Sequence, residues 1–139
     1  SISKSLLENL SLILLGAVFI ALITLLGAAI ALMNIMLVTV TERTKEIGTR
    51  KAIGAKSSTV LNQFVIEAIT ICQIGGFGGI ILGLAMGNLI SNYIGGTFII
   101  PWRWIFLAIG VCSMVGLGAG IWPARKAARI NPIEALRHE

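Results

Sequence analysis

The sequence predicts an all-α integral membrane protein with three transmembrane helices, a short cytoplasmic helix after the first of them and a C-terminal cytoplasmic helix. Hydrophobic residues make up 56% of the 139 residues and charged residues only 12%, and the mean hydropathy is +0.93. The charges are also clustered, which leaves three long runs almost free of them. A soluble domain of this size needs a polar surface, and the residues that would build one are missing.

Three apolar runs supply the predicted spans, at about residues 10–40, 59–91 and 104–121. A helix rises about 1.5 Å per residue and the hydrocarbon core is about 30 Å thick, so each run can cross a bilayer. The first run is long enough to project beyond it. Ser57 or Ser58 is expected to cap the start of the second helix, because serine side chains accept hydrogen bonds from free N–H groups there.

Basic residues set the predicted orientation. Nine of the eleven lysines and arginines lie either between the first two spans or after the third. By the positive-inside rule, the loop 41–58 and the tail 122–139 are cytoplasmic and the N-terminus of this chain is outside. The orientation in the membrane and contact with anionic lipid headgroups therefore explain the net charge of +5. No nucleic-acid partner is expected. The chain begins with Ser and shows no cleavable signal, so we expect the C-terminal portion of a larger protein.

The charged loop 41–58 is too ordered to be a simple connection. Glu46 and Arg50 fall one helical turn apart, Thr49 can cap a short helix, and Gly54 can end it. Exposed pairs of this kind add little stability. The segment is therefore expected to dock another component on the basic side of the membrane.

The second span carries four glycines spaced four residues apart, which line one face of a helix and allow another helix to approach closely. We expect this face to pack against a helix of the same subunit, with a contact between subunits as the alternative. Gly116 and Gly120 of the third span offer a possible partner face. The four packing glycines are Gly75, Gly79, Gly83 and Gly87.

Catalytic and metal sites are not expected, and neither is a bound cofactor. Cys72 and Cys112 lie inside apolar runs without the spacing of metal ligands. The segment from Gly48 to Ser57 resembles a phosphate-binding loop only superficially, because five residues separate Gly48 from Gly54 and Ala55 stands where the motif has lysine. Any ATP and Mg²⁺ would therefore bind to a partner, and this chain is not an enzyme by itself.

The segment after the third span combines bases with a second helix signal. Asn131 as N-cap, Pro132 at the first helical position and Glu134 three residues after the cap predict a helix. Trp122 marks the inner boundary of the membrane. Three bases before the helix are expected to lie near lipid phosphates: Arg125, Lys126 and Arg129.

Residues 42–55, the glycines of 75–87, and residues 123–129 followed by 131–136 together resemble the FtsX-like permeases of MacB-type ABC transporters. Such permeases have four spans and a large extracytoplasmic domain between the first and second. The resemblance therefore implies that residues 1–139 are the C-terminal part of the permease domain, in the inner membrane.

The resemblance also implies a mechanotransmission function, in which ATP hydrolysis by a partner ATPase drives export or extracytoplasmic work. The loop would hold a coupling helix, at roughly residues 46–55, that docks on the ATPase. A second permease copy would complete a dimer, and an extracytoplasmic partner is possible in such a system. The residues assigned to ATPase coupling are Glu42, Arg43, Glu46, Ile47, Arg50, Lys51, Ala52, Ile53, Gly54 and Ala55.

Two alternatives remain at this point. An FtsX-type regulator would keep the ATPase partner but control a cell-wall hydrolase instead of transporting a substrate. A membrane scaffold or channel subunit would have no ATPase partner, and its charged loop would tolerate rearranged charges as long as the net positive charge remained.

Overall fold

The computed structural model describes residues 1–137 and shows five α-helices in that part of the chain. These are α1 (Ile2–Glu42), α2 (Thr44–Ala52), α3 (Ser57–Tyr93), α4 (Trp102–Ala128) and α5 (Pro132–Arg137). Residues 138 and 139, at the end of the predicted tail, lie outside the described residues. The prediction of an all-α fold with two short helices beside the long ones is confirmed.

Three helices, α1, α3 and α4, are long and apolar enough to cross a membrane. Each contains one predicted span and extends beyond it, so the exact limits of the spans stay predictions. The 41 residues of α1 reach about 62 Å at 1.5 Å per residue. This is about twice the thickness of a hydrocarbon core, so α1 must project well beyond the bilayer or tilt strongly within it.

The hydrophobic core lies at one end of the bundle, which we call the basic end (residues 32–68 and 116–137). On α1 and on α3, the buried side chains recur every four residues, which places them on one face of each helix. These two faces meet the alanines of α4 and one side chain of α2. The core residues are Leu32, Met36, Val40, Ile47, Val60, Phe64, Ala68, Ala119, Ala124 and Ala127.

The N-terminal three quarters of α1 contribute no buried residue to this core, and of its residues Ala29 is partly buried against it. Within residues 2–31 no residue is buried, and large apolar side chains such as Leu10 and Ile20 are 61% and 67% exposed. An apolar surface of this extent is typical of a helix that faces lipid or another protein segment. The buried contacts that hold α1 against the rest of the described chain therefore lie at the basic end.

The close contact between α3 and α4 uses the predicted Gly116 and Gly120 of α4, but on α3 it uses Gly76 and none of the four predicted packing glycines. A Cβ atom added to Gly116 would lie 2.9 Å from the Cα of Ile69, and one added to Gly120 would lie 2.5 Å from the Cβ of Ala68. A Cβ at Gly76 would lie 2.8 Å from the sulfur of Cys112. Backbones can approach this closely only where a side chain is missing.

The four-glycine stripe faces open space instead. A Cβ added to Gly75, Gly79, Gly83 or Gly87 would meet no atom within 4 Å. Within residues 1–137 the stripe therefore packs against no other helix, and its packing against a helix elsewhere in the same subunit stays a prediction. Successive residues of a helix are about 100° apart, so a stripe that begins at Gly75 lies well to one side of Gly76. A contact of the stripe with a second chain stays a prediction.

Polar side chains tie α3 to α4 and to the connection between them. The amide nitrogen of Gln73 donates to the hydroxyl of Ser113 at 2.6 Å and to the carbonyl of Ile109 at 3.3 Å. Near the other end of α3, the Asn88 side chain accepts a hydrogen bond from the N–H of Ile99 at 3.1 Å. The connection at residues 94–101 is thus folded back onto α3.

The observed start of α5 agrees with the sequence-based prediction, while the start of α3 and the end of α4 differ from it. Asn131 caps α5 as predicted, because its side-chain oxygen accepts the N–H of Ile133 at 3.2 Å. The cap of α3 was predicted wrongly: Lys56 occupies the N-cap position in an extended conformation, without a side-chain cap, and Ser57 is already helical. Helix α4 also continues through Pro123 to Ala128, past the predicted end of the third span.

Candidate functional site at the basic end of the bundle

The short helix α2 begins almost directly after α1. Only Arg43 separates the two helices, with φ −93° and ψ 11°, and its N–H still bonds to the carbonyl of Thr39 at 3.0 Å. The helix starts two residues before the predicted range 46–55. Thr49 lies inside the helix and its hydroxyl donates to the carbonyl of Lys45 at 2.9 Å, so the prediction that Thr49 caps the helix is wrong.

Gly54 ends α2 as predicted. Its φ of +115° lies in a region that residues with a side chain rarely adopt. The N–H of Gly54 bonds to the carbonyl of Lys51 at 3.1 Å, and the N–H of Ala55 bonds to the carbonyl of Arg50 at 3.0 Å. These bonds satisfy the last carbonyls of the helix. The chain can therefore turn sharply from α2 into α3.

The inner face of α2 packs inside the chain. Ile47 is only 4% exposed and belongs to the hydrophobic core. Gly48 lies against the methyl group of Ala135 in α5, and a Cβ at Gly48 would overlap that methyl group and lie 3.7 Å from the carbonyl oxygen of Pro132. The Ile47 side chain therefore belongs to the core of this chain, and its assignment to ATPase coupling stays a prediction.

Lys51 is also used within the chain. Its ammonium group donates hydrogen bonds to the carbonyl oxygens of Ala128 and, at 3.0 Å, Ile130. Ala128 is the last residue of α4. The last carbonyls of a helix lack partners within it and carry the negative end of the helix dipole, so a lysine is well placed there. The Lys51 side chain thus bonds within the chain, and its assignment to ATPase coupling stays a prediction.

Arg50 joins α2 to α3. It forms the predicted ion pair with Glu46, one turn away, at 2.5 Å, where the two side chains are 48% and 53% exposed. Its other terminal nitrogen donates to the side-chain oxygen of Gln63 at 2.9 Å. An exposed pair of this kind contributes only about 0.2–0.5 kcal/mol. The main effect of the ion pair and of the bond to Gln63 is to hold the Arg50 side chain beside α3.

The outer face of α2 remains free within the described chain, and we call it the α2 surface (residues 42, 43, 45, 46, 49, 50 and 52–54). Ile53 is 83% exposed, which leaves a large apolar side chain beside charged ones. Ala55 is half-buried and lies at the edge of this surface. Lys45 and Thr49 were missed as site residues. The helical period that places Ile47 and Lys51 on the inner face would have assigned them to the outer one.

The bases expected to contact lipid lie on the last turns of α4. Arg125, Lys126 and Arg129 are exposed, and Trp122 is 55% exposed. Lys126 and Arg129 line a depression of about 200 Å³ together with Thr44 and Glu134. Contact of these side chains with lipid headgroups stays a prediction. Among residues 1–137, no group of three or more histidine, cysteine or acidic side chains could hold a metal ion.

Three membrane-length helices, with an ordered charged helix packed at one end of the bundle, define a multi-pass membrane domain. The family comparison identifies the domain more closely. Residues 6–132 match the family described as FtsX-like permease C-terminal, and the chain belongs to this family. The resemblance noted from the sequence is confirmed, and the chain is part of a multi-pass inner-membrane protein.

Curated relatives agree with this membership. The chain is 48% identical over 122 residues to the "Macrolide export ATP-binding/permease protein MacB" of Acinetobacter baylyi, covering 86% of the chain and 18% of that protein. It is 50% identical over 138 residues to the protein of the same name in Campylobacter fetus subsp. fetus, covering 98% of the chain and 21% of that protein. The chain thus spans about a fifth of the length of these relatives.

Proposed function

We propose that this chain is the membrane-embedded part of an ABC transporter permease, and that α2 couples ATP hydrolysis in a partner ATPase to movement of the helix bundle. ATP and Mg²⁺ would bind in the ATPase, as a separate subunit or a fused domain, so the chain itself is not catalytic. One observation carries the proposal. The inner face of α2 is attached to the core, to α4 and to α5, while its outer face presents Ile53 and charged side chains.

An inner face attached to the bundle and a free outer face suit a helix that transmits force. A helix that merely connected two spans would not need a buried isoleucine, a glycine packed against α5 and a lysine bonded to α4. With these attachments, a displacement of α2 must be followed by the end of the bundle. Ile53 is a suitable anchor for a partner, because an exposed apolar side chain surrounded by polar ones is typical of a binding hot spot.

The long helix α1 would carry the motion across the membrane. It is continuous from Ile2 to Glu42 and meets α2 through a single residue. Its exposed apolar face at residues 2–31 is available to lipid and to a second permease copy, which would form a dimer. We place its N-terminus outside and the basic end in the cytoplasm, because nine of eleven bases lie at the basic end.

The work done outside the membrane is proposed to be export. The relatives named above are described as macrolide export proteins with ATP-binding and permease functions, and the mechanical arrangement of this chain suits an exporter of that kind. The α2 surface would face the ATPase, so it gives no information about which substrate is exported.

The proposal is tested by changing the α2 surface in the full-length permease. Ile53→Asp removes the apolar anchor, and Gly54→Val strains the turn, since a β-branched residue resists a positive φ. Both variants should insert normally but co-purify less ATPase, by about tenfold for Ile53→Asp if it is a hot spot. The ATPase activity should also lose its dependence on the permease.

Ile94→Asp is the matched control, because Ile94 is 81% exposed but lies at the opposite end of the bundle. Arg129→Ala is a second control, which should alter lipid contact without uncoupling. Normal ATPase binding and full activity in Ile53→Asp would show that α2 is not the coupling helix. The scaffold interpretation would then be favoured.

A further inference from the structure

Helix α2 is held in different ways at its two ends. At its start, Arg43 is the single residue between α1 and α2. In its last turn, the side chain of Lys51 reaches the end of α4. The helix has nine residues and is therefore about 14 Å long. A force applied to its outer face acts to turn α2 about Arg43, and contacts further along the helix, such as those of Ile47 and Lys51, oppose that rotation.

Lys51 supplies a strong attachment at that point. Its ammonium group bridges the carbonyl oxygens of Ala128 and Ile130, on either side of the C-cap residue Arg129. Hydrogen bonds from a charged donor are stronger than neutral ones. Both bonds are partly buried, so solvent and salt weaken them less than they weaken an exposed pair.

The other polar link of α2 is of a different kind. Among the side-chain hydrogen bonds of residues 1–137, Arg50 joins α2 to α3 through Gln63, and that bond is exposed. Lys51 alone links α2 to α4 by hydrogen bonds within those residues. Lys51 thus supplies the polar connection from α2 to α4, in addition to the apolar contacts of Ile47 in the core and of Gly48 with Ala135.

We propose that Lys51 is a positioning residue that latches α2 to the C-terminus of α4, so that a push on α2 moves α4 and α5 instead of turning α2 about Arg43. This inference rests on the proposed function, because it takes α2 to be the helix that the ATPase pushes. It assigns Lys51 a role in transmission and none in binding the ATPase, since its donors are directed at α4.

The functional test compares Lys51→Met, which keeps the length of the side chain but removes its charge, with Lys51→Arg, which keeps a charged donor. Lys56→Met is the matched control, because Lys56 is exposed and its loss removes one positive charge from the same end. In the full-length permease, Lys51→Met should bind the ATPase as the unmodified protein does. The permease-dependent part of the ATPase activity should fall about tenfold, the factor that corresponds to a lost hydrogen bond to a charged group. Lys51→Arg should restore it.

Two outcomes of this comparison would overturn the latch. If Lys51→Met weakens ATPase binding as strongly as Ile53→Asp does, Lys51 is a docking residue. If Lys51→Met retains full permease-dependent activity, the link to α4 has no role in transmission.

A distance measurement tests the latch without the ATPase. Spin labels at Thr49→Cys and Lys126→Cys, with Cys72 and Cys112 replaced by alanine, report the separation of α2 and α4. The distance distribution should be narrow with Lys51 or Lys51→Arg and should broaden with Lys51→Met. An unchanged distribution in Lys51→Met would refute the latch. Failure of the unmodified permease to bind any ATPase would instead refute the proposed function and leave this result interpretable.

Discussion

Gly48 of α2 lies directly against Ala135 of α5, so closely that a Cβ atom on Gly48 would overlap the alanine methyl group. Ala135 is only 2% exposed. Helix α5 has six residues, and a helix this short is not stable by itself in water. The contact with Gly48 therefore helps to hold α5 in place, and it makes α2 and α5 parts of one packed unit at the basic end.

A methyl group at Gly48 should separate α2 from α5. We expect Gly48→Ala to destabilise the basic end by about 1–3 kcal/mol, the usual cost of overpacking. Thermal unfolding in detergent and proteolysis of the C-terminal segment measure this effect. Gly27→Ala is the control, because a Cβ at Gly27 would meet no atom within 4 Å. Equal stability of the two variants would contradict the close packing of α2 on α5.

The contact between α3 and α4 predicts a difference between two glycines of the same helix. Gly120→Leu should disrupt folding, because the added side chain would displace Ala68 and the backbone of α3. Gly118→Leu should be tolerated, since Gly118 faces open space. Size-exclusion chromatography and thermal stability in detergent distinguish these results, and comparable behaviour of the two variants would show that the helices are packed differently.

The four-glycine stripe gives a separate prediction about assembly. Gly79→Leu and Gly83→Leu should leave the isolated chain folded, because neither position has a neighbour within 4 Å. If the stripe packs against a second chain, the same variants should reduce dimer formation in cross-linking experiments. Unchanged dimer formation would show that the stripe faces lipid only.

The hydrogen bond between Gln73 and Ser113 should contribute measurably to the stability of the α3–α4 pair. A double-mutant cycle with Gln73→Leu and Ser113→Ala is expected to give a coupling energy of about 0.6 kcal/mol, the average for such bonds in membrane proteins, and at most about 1.7. Unfolding by denaturant in mixed micelles measures it. A coupling energy of zero would mean that the bond contributes no net stability.

The proposed orientation is tested by labelling in intact cells. After replacement of Cys72 and Cys112, cysteines at Lys45 and Arg129 should be protected from a membrane-impermeant thiol reagent, because both positions lie at the basic end. A cysteine at Thr97, in the connection at the opposite end, should react. Labelling of the Lys45 position from outside would reverse the assigned topology.

Much of the architecture was predictable because it follows from local sequence. Long apolar runs predicted α1, α3 and α4, and the Asn131 cap predicted α5. The Gly54 stop was also predictable, because a glycine after a charged helical segment favours a turn that needs a positive φ. Helix ends were less accurate, as Lys56 and Thr49 show, because several residues of similar propensity compete for a cap.

The roles of individual site residues could not be predicted in the same way. The sequence assigns Ile47 and Lys51 to ATPase coupling with most of residues 42–55, because that assignment follows the resemblance to FtsX-like permeases and does not separate the faces of a helix. Whether they face a partner or the chain depends on the position of α4 and α5, which lie far away in sequence. The Lys51 side chain, for example, bonds to Ala128 and Ile130, which lie 77 and 79 positions further along the chain.

The sequence by itself determined that this protein is helical, that it lies in a membrane and that a charged helix stands between two spans. Hydropathy and charge act locally, so they can be recognised one segment at a time. Only the tertiary structure decided which glycines bring α3 and α4 together and which face of α2 is free. Helix packing selects one face out of several with similar composition, and that choice depends on the fit between surfaces from distant parts of the chain.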